Sequence, residues 1–182
     1  NATATRNIAI ACTERGIKLL YVSTSGVFSG NNNKPYCEDD IPQPVSIYGR
    51  SKFMGEEYVR SVMGEKDYII LRAGWLFGGG IEDKKFVGKI YNLMKTHKRI
   101  KAVGDIFGSP NYSVDIGNLM NYLLDKEAYG LFHAVNAGIA SRYDIAMEIK
   151  SIGEINVDIE KVSSDEFPTI APRPPMEGIV NK

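Results

Sequence analysis

Two apolar runs limit what this chain can fold into. Leu19-Leu20-Tyr21-Val22 follows Lys18 and closes on three hydroxyls, Ser23-Thr24-Ser25; Tyr68-Ile69-Ile70-Leu71 lies between Asp67 and Arg72. A strand with one wet face alternates apolar and polar residues. Neither run does, so each reads as a buried strand, the habit of parallel sheets covered by helices. Between them, Tyr48 through Arg60 holds Lys52, Phe53, Met54, Glu56, Glu57 and Val59 with no proline, which favours a helix. The fold class is therefore α/β. In open sheets of this class ligands lie beyond the carboxyl ends of the strands, where the hydroxyls of Ser23, Thr24 and Ser25 are delivered.

On the intervening helix Tyr48 and Lys52 stand at i and i+4, so a phenol and an ammonium share one face. A free tyrosine titrates near ~10 and relays protons poorly at neutral pH; a positive charge within about 4–6 Å favours its phenolate. The pair suits general acid–base work on a carbonyl or hydroxyl. By itself this spacing is more often a solvated helix face, and its weight comes from the hydroxyl-bearing strand before it.

The composite of that strand end with Tyr48-Gly49-Arg50-Ser51-Lys52-Phe53-Met54-Gly55-Glu56 resembles the extended short-chain dehydrogenase/reductase family, and most closely its dTDP-4-dehydrorhamnose reductase branch. The resemblance runs on through Val27-Phe28-Ser29-Gly30, Pro35-Tyr36-Cys37-Glu38, Arg72 to Gly78, Gly108-Ser109-Pro110-Asn111 and Pro172-Arg173-Pro174, and covers nearly the whole chain. It departs from the branch where Ser25 and Gly26 replace an acid and an aromatic, and where Asn111 replaces threonine. Met176 to Asn181 fits only loosely. The fold implied is the C-terminal half of a Rossmann-type parallel sheet plus a small mixed α/β substrate-binding part. Residues 1–78 would be the second half of the NAD(P)-binding domain, with the catalytic tyrosine and lysine. Residues 79–182 would be mainly the substrate-binding part, with room for a strand returning to the sheet. No Gly-x-Gly-x-x-Gly is present, and Gly78-Gly79-Gly80 has the wrong spacing. The dinucleotide-binding first half is thus expected to lie outside this sequence. The chain by itself is expected to be catalytically silent, with an unpaired edge on its first strand that promotes self-association.

The resemblance implies NADPH or NADH as cofactor and the 4-keto group of a nucleotide-linked 6-deoxysugar as substrate. In that scheme Tyr48 protonates the carbonyl oxygen, Lys52 lowers the Tyr48 pKa and bonds the nicotinamide ribose, and Thr24 orients the carbonyl. Tyr48 and Lys52 are then also the cofactor contacts, while Thr24, Ser25 and Trp75 face the sugar, Trp75 covering its ring. Asn1 stands where the family's active-site asparagine opens a helix, beside its plainer role as a helix cap. Two alternatives stay open: an epimerase or dehydratase with retained NAD, and a non-catalytic relative such as the regulatory subunit of methionine adenosyltransferase.

The remaining pattern is structural. Ala4, Ile8, Ala11 and Cys12 predict one face of a first helix that stops at Gly16; Lys84 to His97 is an amphipathic helix; Arg99 to Val103 is a strand. Asp115 is read as the cap of a helix carrying Ile116, Leu119, Met120, Leu123 and Leu124, and Leu131 to Val135 as a strand. Ser141 and Asp144 form a capping box opening one more helix, and Val157 to Val162 is a last strand. Arg72 is read as a structural ion pair and His133 as a satisfied core histidine. Neither histidine has a partner at metal-ligand spacing, so no metal is expected. The 182 residues carry 22 basic and 22 acidic side chains, which argues against recruitment by nucleic acid or an anionic membrane. No apolar run approaches the roughly 18 residues of a membrane span. Two cysteines without a motif favour a reduced, cytoplasmic setting. The expected partner is the nucleotide sugar, with a homodimer left open.

Overall fold

The second apolar run is buried on both faces, as its lack of alternation requires. Ile69, Ile70 and Leu71 are all fully buried. The structure is a computed structural model that describes residues 1–181. In chain order its elements are α1 (Ala2–Arg15), β1 (Leu19–Thr24), α2 (Ile47–Val62), β2 (Tyr68–Ala73), β3 (Trp75–Phe77), α3 (Phe86–Thr96), β4 (Arg99–Val103), β5 (Phe107–Gly108), β6 (Pro110–Tyr112), α4 (Ser113–Asp125), β7 (Gly130–Ala134), β8 (Ala140–Ser141), α5 (Arg142–Ile152), β9 (Asp158–Val162) and β10 (Met176–Glu177).

The main sheet is parallel, in the order β1-β2-β7. β7 comes from the second half of the chain and returns to pair with β2. Side chains alternate across β2. Ile70 packs with Ala9, Tyr21, Val59 and Met63 under α1 and α2; Ile69 and Leu71 pack with Ile116, Leu123 and Ala134 under α4. Full burial of each such side chain contributes about 1.5–3 kcal/mol. Among the described residues the outer edge of β1 is unpaired.

A second, smaller layer pairs β4 with β9 in parallel and covers them with α3 and α5, around Ile90, Met94, Ile100, Ala146 and Ile159. Two miniature sheets join the layers: β3 with β6, and β5 between β8 and β10. The long segment after β1 is held by its own aromatic core. Phe28 and Tyr36 stack at 4.3 Å and, with Val27, enclose Ile179 from the chain's last residues.

Several local expectations need correction. On α1 the buried residues are Thr5 and Ala9, while Ala4 and Ile8 face out. α1 lies tight against α2 at Gly55, where a Cβ would stand 3.3 Å from Thr5 Oγ1, so small side chains occupy the contact and the bulkier Ile8 is turned away. Asp115 does not cap α4. The helix starts two residues earlier, directly from β6, and Asp115 sits in its first turn accepting from Asn136 Nδ2 at 2.7 Å. The first strand runs two residues further than its apolar stretch, so Thr24 is its last residue. The stop at Gly16 (φ 61°) and the Ser141–Asp144 capping box are both present as read.

Candidate active site

Each part of the site is positioned by backbone features that its sequence forces. β1 ends at Thr24, whose hydroxyl accepts from Gly26 N at 3.1 Å and turns the chain into a single helical turn, Ser25–Val27. α2 begins at Ser46, whose side chain accepts from Gly49 N at 3.0 Å. The turn and the helix then meet at two glycines. A methyl group at Gly49 would lie 2.0 Å from Gly26 O, and one at Gly26 would lie 3.9 Å from the Tyr48 ring and 3.5 Å from Thr24 Oγ1. Only with no side chain at position 49 can the helix approach closely enough to set the Tyr48 phenol beside the end of β1.

Thr24, Ser25, Tyr48 and Trp75 all line one cavity of about 740 Å³ at the carboxyl end of the sheet. Tyr48 is 56% exposed into it, an open position for a proton donor. Lys52 is not part of that wall. It lies one turn further along α2, half-buried, donating to Val22 O at 2.5 Å and standing 4.0 Å from the centre of the Tyr21 ring. Burial pulls the Lys52 pKa below its ordinary value, while the neighbouring Tyr48 and Glu56 act in the opposite direction. Asn1 takes the cap position of α1 without capping through its side chain; its Nδ2 donates instead to Ser51 Oγ at 3.1 Å, tying α1 to the helix that carries Tyr48 and Lys52.

Behind Lys52 lies a polar network. Glu56 is fully buried and takes two hydrogen bonds from Arg72, Nε at 3.0 Å and Nη2 at 2.7 Å, and one from Ser23 Oγ at 2.5 Å. Arg72 is thus the ion-paired residue expected, and its partner is the glutamate that closes the Tyr48–Glu56 motif. Ser23, Arg72 and His133 are direct neighbours across β1, β2 and β7, so the network crosses the whole sheet. His133 is only half satisfied. Its Nδ1 pairs with Val180 O at 2.9 Å, whereas among the described residues its Nε2 and Arg72 Nη1 have no hydrogen-bond partner. Desolvation draws the His133 pKa down, with Glu38 opposing.

The opposite wall was largely invisible in the sequence. It consists of Trp75, Lys85, Arg142, Glu177 and the extended segment Ile170, Ala171, Pro172 and Arg173. Trp75 Nε1 donates to Glu177 Oε2 at 2.5 Å, and the Arg142 guanidinium lies 4.6 Å from the indole centre. Gly108 leaves the space the indole fills, since a Cβ there would fall 2.3 Å from Trp75 Cε2. Trp75 therefore reaches the cavity with part of its surface already covered by Arg142, where the sequence suggested a ring open to cover a sugar. Trp75 and the Pro172-Arg173-Pro174 run had a sequence signal. Lys85, Arg142 and Glu177 lie in unrelated segments that the fold alone brings together. Among the described residues no group of His, Cys, Asp and Glu is placed to hold a metal ion, and no helix is long and apolar enough to cross a membrane.

Comparison with known proteins bears on the family and the fold. The family model described as the RmlD substrate binding domain matches residues 1–181. A dTDP-4-dehydrorhamnose reductase of Mycobacterium tuberculosis is 35% identical over 95% of this chain and 58% of its own length. The crystal structure of dTDP-4-dehydrorhamnose reductase from Yersinia enterocolitica is 42% identical, with a TM-score of 0.95 over 100% of this chain and 63% of that one. The reductase of the same name from Bacillus anthracis, solved in complex with NADP, is 35% identical with a TM-score of 0.94, over 100% of this chain and 63% of that one. The chain thus spans about three fifths of the length of these relatives.

Proposed function

The chain belongs to the RmlD substrate binding domain family, and from that premise we propose that it forms the proton-transferring and sugar-binding part of an NAD(P)H-dependent reductase acting on the 4-keto group of a nucleotide-linked 6-deoxysugar. The observation that carries this reading is the convergence of Thr24 and Tyr48 on one large cavity at the carboxyl end of a parallel sheet.

The chemistry follows from the groups present. A nicotinamide, when bound, supplies the hydride. The donors fit such a cofactor: a phenol open to the cavity, and one helical turn away an ammonium held at Val22 O of β1, suit the hydroxyls of a ribose. Tyr48 holds the proton that the carbonyl oxygen takes as it becomes a hydroxyl. Lys52 stabilises the phenolate left behind by its charge. Thr24 Oγ1 donates to the substrate oxygen and fixes its position beside the phenol, a contribution that depends on preorganised dipoles. Ser25, small and buried at the same corner, bounds the sugar pocket, and Trp75 limits its far side. The network of Glu56, Arg72 and Ser23 holds α2 against the sheet and so keeps these groups in register.

In this reading the partner is a dTDP-linked or related nucleotide sugar and the setting is the cytoplasm, where precursors of surface polysaccharides would be made. The test is turnover. The chain is joined to the part of a relative that it does not match, and is given NADPH with a dTDP-4-keto-6-deoxysugar. Loss of NADPH absorbance only when the sugar is present supports the reading. Tight binding of the sugar with no reduction in the joined protein contradicts it and favours a binding relative; NAD that copurifies and is retained through turnover favours an epimerase or dehydratase.

A further inference from the structure

The corner of the cavity beside Tyr48 holds a glycine that the fold does not require. Gly26 lies in the helical turn after β1, and its φ is outside the left-handed region that favours glycine. A Cβ on it would meet Thr24 Oγ1 at 3.5 Å, Thr24 Cγ2 at 3.6 Å and the Tyr48 ring at 3.9 Å, all ordinary contacts. The glycines nearby differ. A Cβ at Gly49 would lie 2.0 Å from Gly26 O, and one at Gly74, in the same cavity wall, 2.3 Å from Ser109 O, so packing forbids a side chain at both. Glycine loses more backbone freedom on folding than alanine does, so a glycine under neither constraint weakens the fold for no structural gain.

Next to it stands a buried hydroxyl. Ser25 is 5% exposed, and among the described residues its Oγ has no hydrogen-bond partner. The unpaired side-chain atoms sealed from solvent among those residues are Arg72 Nη1 and His133 Nε2. Ser25 Oγ is not one of them, so it opens onto the cavity whose wall Ser25 forms. A hydroxyl both donates and accepts, and leaving it unpaired in a buried place is unfavourable. A ligand with a polar group at this corner recovers that loss, and the room over Gly26 admits it. The two observations are independent and point to the same occupant.

We propose that Ser25 and Gly26 form a specificity subsite for the ring substituent next to the reacting carbonyl: Ser25 Oγ hydrogen-bonds a hydroxyl there, and the bare Gly26 makes room for it. This rests on the reductase reading and deepens it by naming the sugar. Thr24 and Tyr48 hold the carbonyl oxygen, and a Cβ at position 26 would touch both, so the subsite faces one of the two ring carbons that flank the carbonyl. In a 6-deoxysugar with its keto group at carbon 4, carbon 5 carries an apolar methyl group and carbon 3 carries a hydroxyl. Only the second can satisfy Ser25. The preferred substrate therefore keeps its carbon-3 hydroxyl, and a 3,6-dideoxysugar is disfavoured because it leaves the serine unpaired.

The test uses the joined enzyme, given a dTDP-4-keto-6-deoxysugar and its counterpart without the carbon-3 hydroxyl. Calorimetry on the matching 4-hydroxy sugars is a readout that needs no turnover. The parent should favour the hydroxylated sugar by about tenfold or more in kcat/KM and in Kd, the effect of one hydrogen bond to a buried group. Ser25→Ala should bring that preference to within about twofold. Gly26→Ala should raise the KM of the hydroxylated sugar by about tenfold, since its methyl group crowds the same corner. Its melting temperature should equal or exceed the parent's, as when alanine replaces an unconstrained glycine. Weaker use of the sugar together with undiminished stability is a combination that a merely structural glycine would not give. A folded Ser25→Ala that keeps the preference, or a Gly26→Ala that melts lower or has a KM within about twofold of the parent's, overturns the proposal. Reduction of both sugars alike overturns it and leaves the reductase reading intact. Discrimination in binding with neither sugar reduced keeps the subsite and contradicts that reading, and binding of neither sugar overturns both.

Discussion

The two walls of the cavity are built by different means. The wall carrying Thr24 and Tyr48 rests on the sheet. Behind it stand Glu56, Arg72 and Ser23, all buried and joined by hydrogen bonds of 2.5 to 3.0 Å. The wall carrying Trp75, Arg142 and Arg173 rests on two-residue and three-residue strands and an extended proline-rich segment, with Ile170 fully exposed. One wall is preorganised by a buried ion pair; the other keeps cations facing an open cavity. The difference matches the work assigned to each. Proton transfer needs groups fixed to a fraction of an ångström, whereas a wall that bounds the ligand tolerates looser support.

The largest expected effect comes from breaking the first wall. Glu56→Ala leaves Arg72 buried without its counter-charge and should destabilise the chain by about 3–5 kcal/mol, as removal of one partner of a buried pair does. Denaturant unfolding measures it, and a loss below ~1 kcal/mol would mean the network is not what holds α2. A smaller change at the same place is Gly49→Ala. Its methyl group must displace Gly26 O from 2.0 Å, which should cost about 1–3 kcal/mol of overpacking and pull Tyr48 away from Thr24. Activity of the joined enzyme should therefore fall further than its stability. Equal stability and activity with the parent would contradict the close approach on which the site depends.

On the second wall the expected effects are on ligand and not on fold. Trp75→Phe removes the hydrogen bond to Glu177 and loosens Arg142. Nucleotide-sugar affinity should drop roughly threefold to tenfold, the equivalent of one hydrogen bond, with the melting temperature nearly unchanged. A marked fall in melting temperature would instead place Trp75 among the core residues. The smallest effect concerns His133, whose charged form burial disfavours. Its pKa in the fold therefore lies below the ordinary imidazole value of about 6.5. Above that value both states are neutral and the stability is fully present; as pH falls below it the unfolded chain takes up a proton that the fold resists, so stability is lost downward toward the folded pKa. His133→Gln should flatten the slope between about pH 6.5 and 5, before carboxylates titrate. An unchanged slope would show that His133 is not the group responsible.

The contrast between the walls also explains what could be read from the sequence. β1, α2 and β2 were legible because burial on both faces suppresses alternation and because the Tyr48–Glu56 motif lies within one helix. The Ser141–Asp144 cap was legible because it too lies within one helix turn, and β4 because its residues alternate exposed and buried. The pairings β3 with β6 and β5 with β8 and β10 were not, since strands of two or three residues have no period and are specified by backbone partners far away. The face of α1 was misread because apolar spacing favoured Ile8, while the helix contact needed small residues at Thr5 and Ala9. Arg142 was seen only as the residue inside a capping box. Its neighbours Trp75, Phe86 and Arg173 come from segments with no local relation to it.

The central claim is that Tyr48 gives its proton to a carbonyl held by Thr24, and Tyr48→Phe tests it most directly. The variant keeps the ring that packs near Gly26 and removes only the hydroxyl. In the joined enzyme, steady-state turnover of the dTDP-4-keto-6-deoxysugar with NADPH should fall by roughly 10²–10⁴, the range for loss of a positioned acid, while dTDP affinity and the melting curve stay those of the parent. Turnover within about twofold of the parent would take Tyr48 out of the proton path and contradict the account.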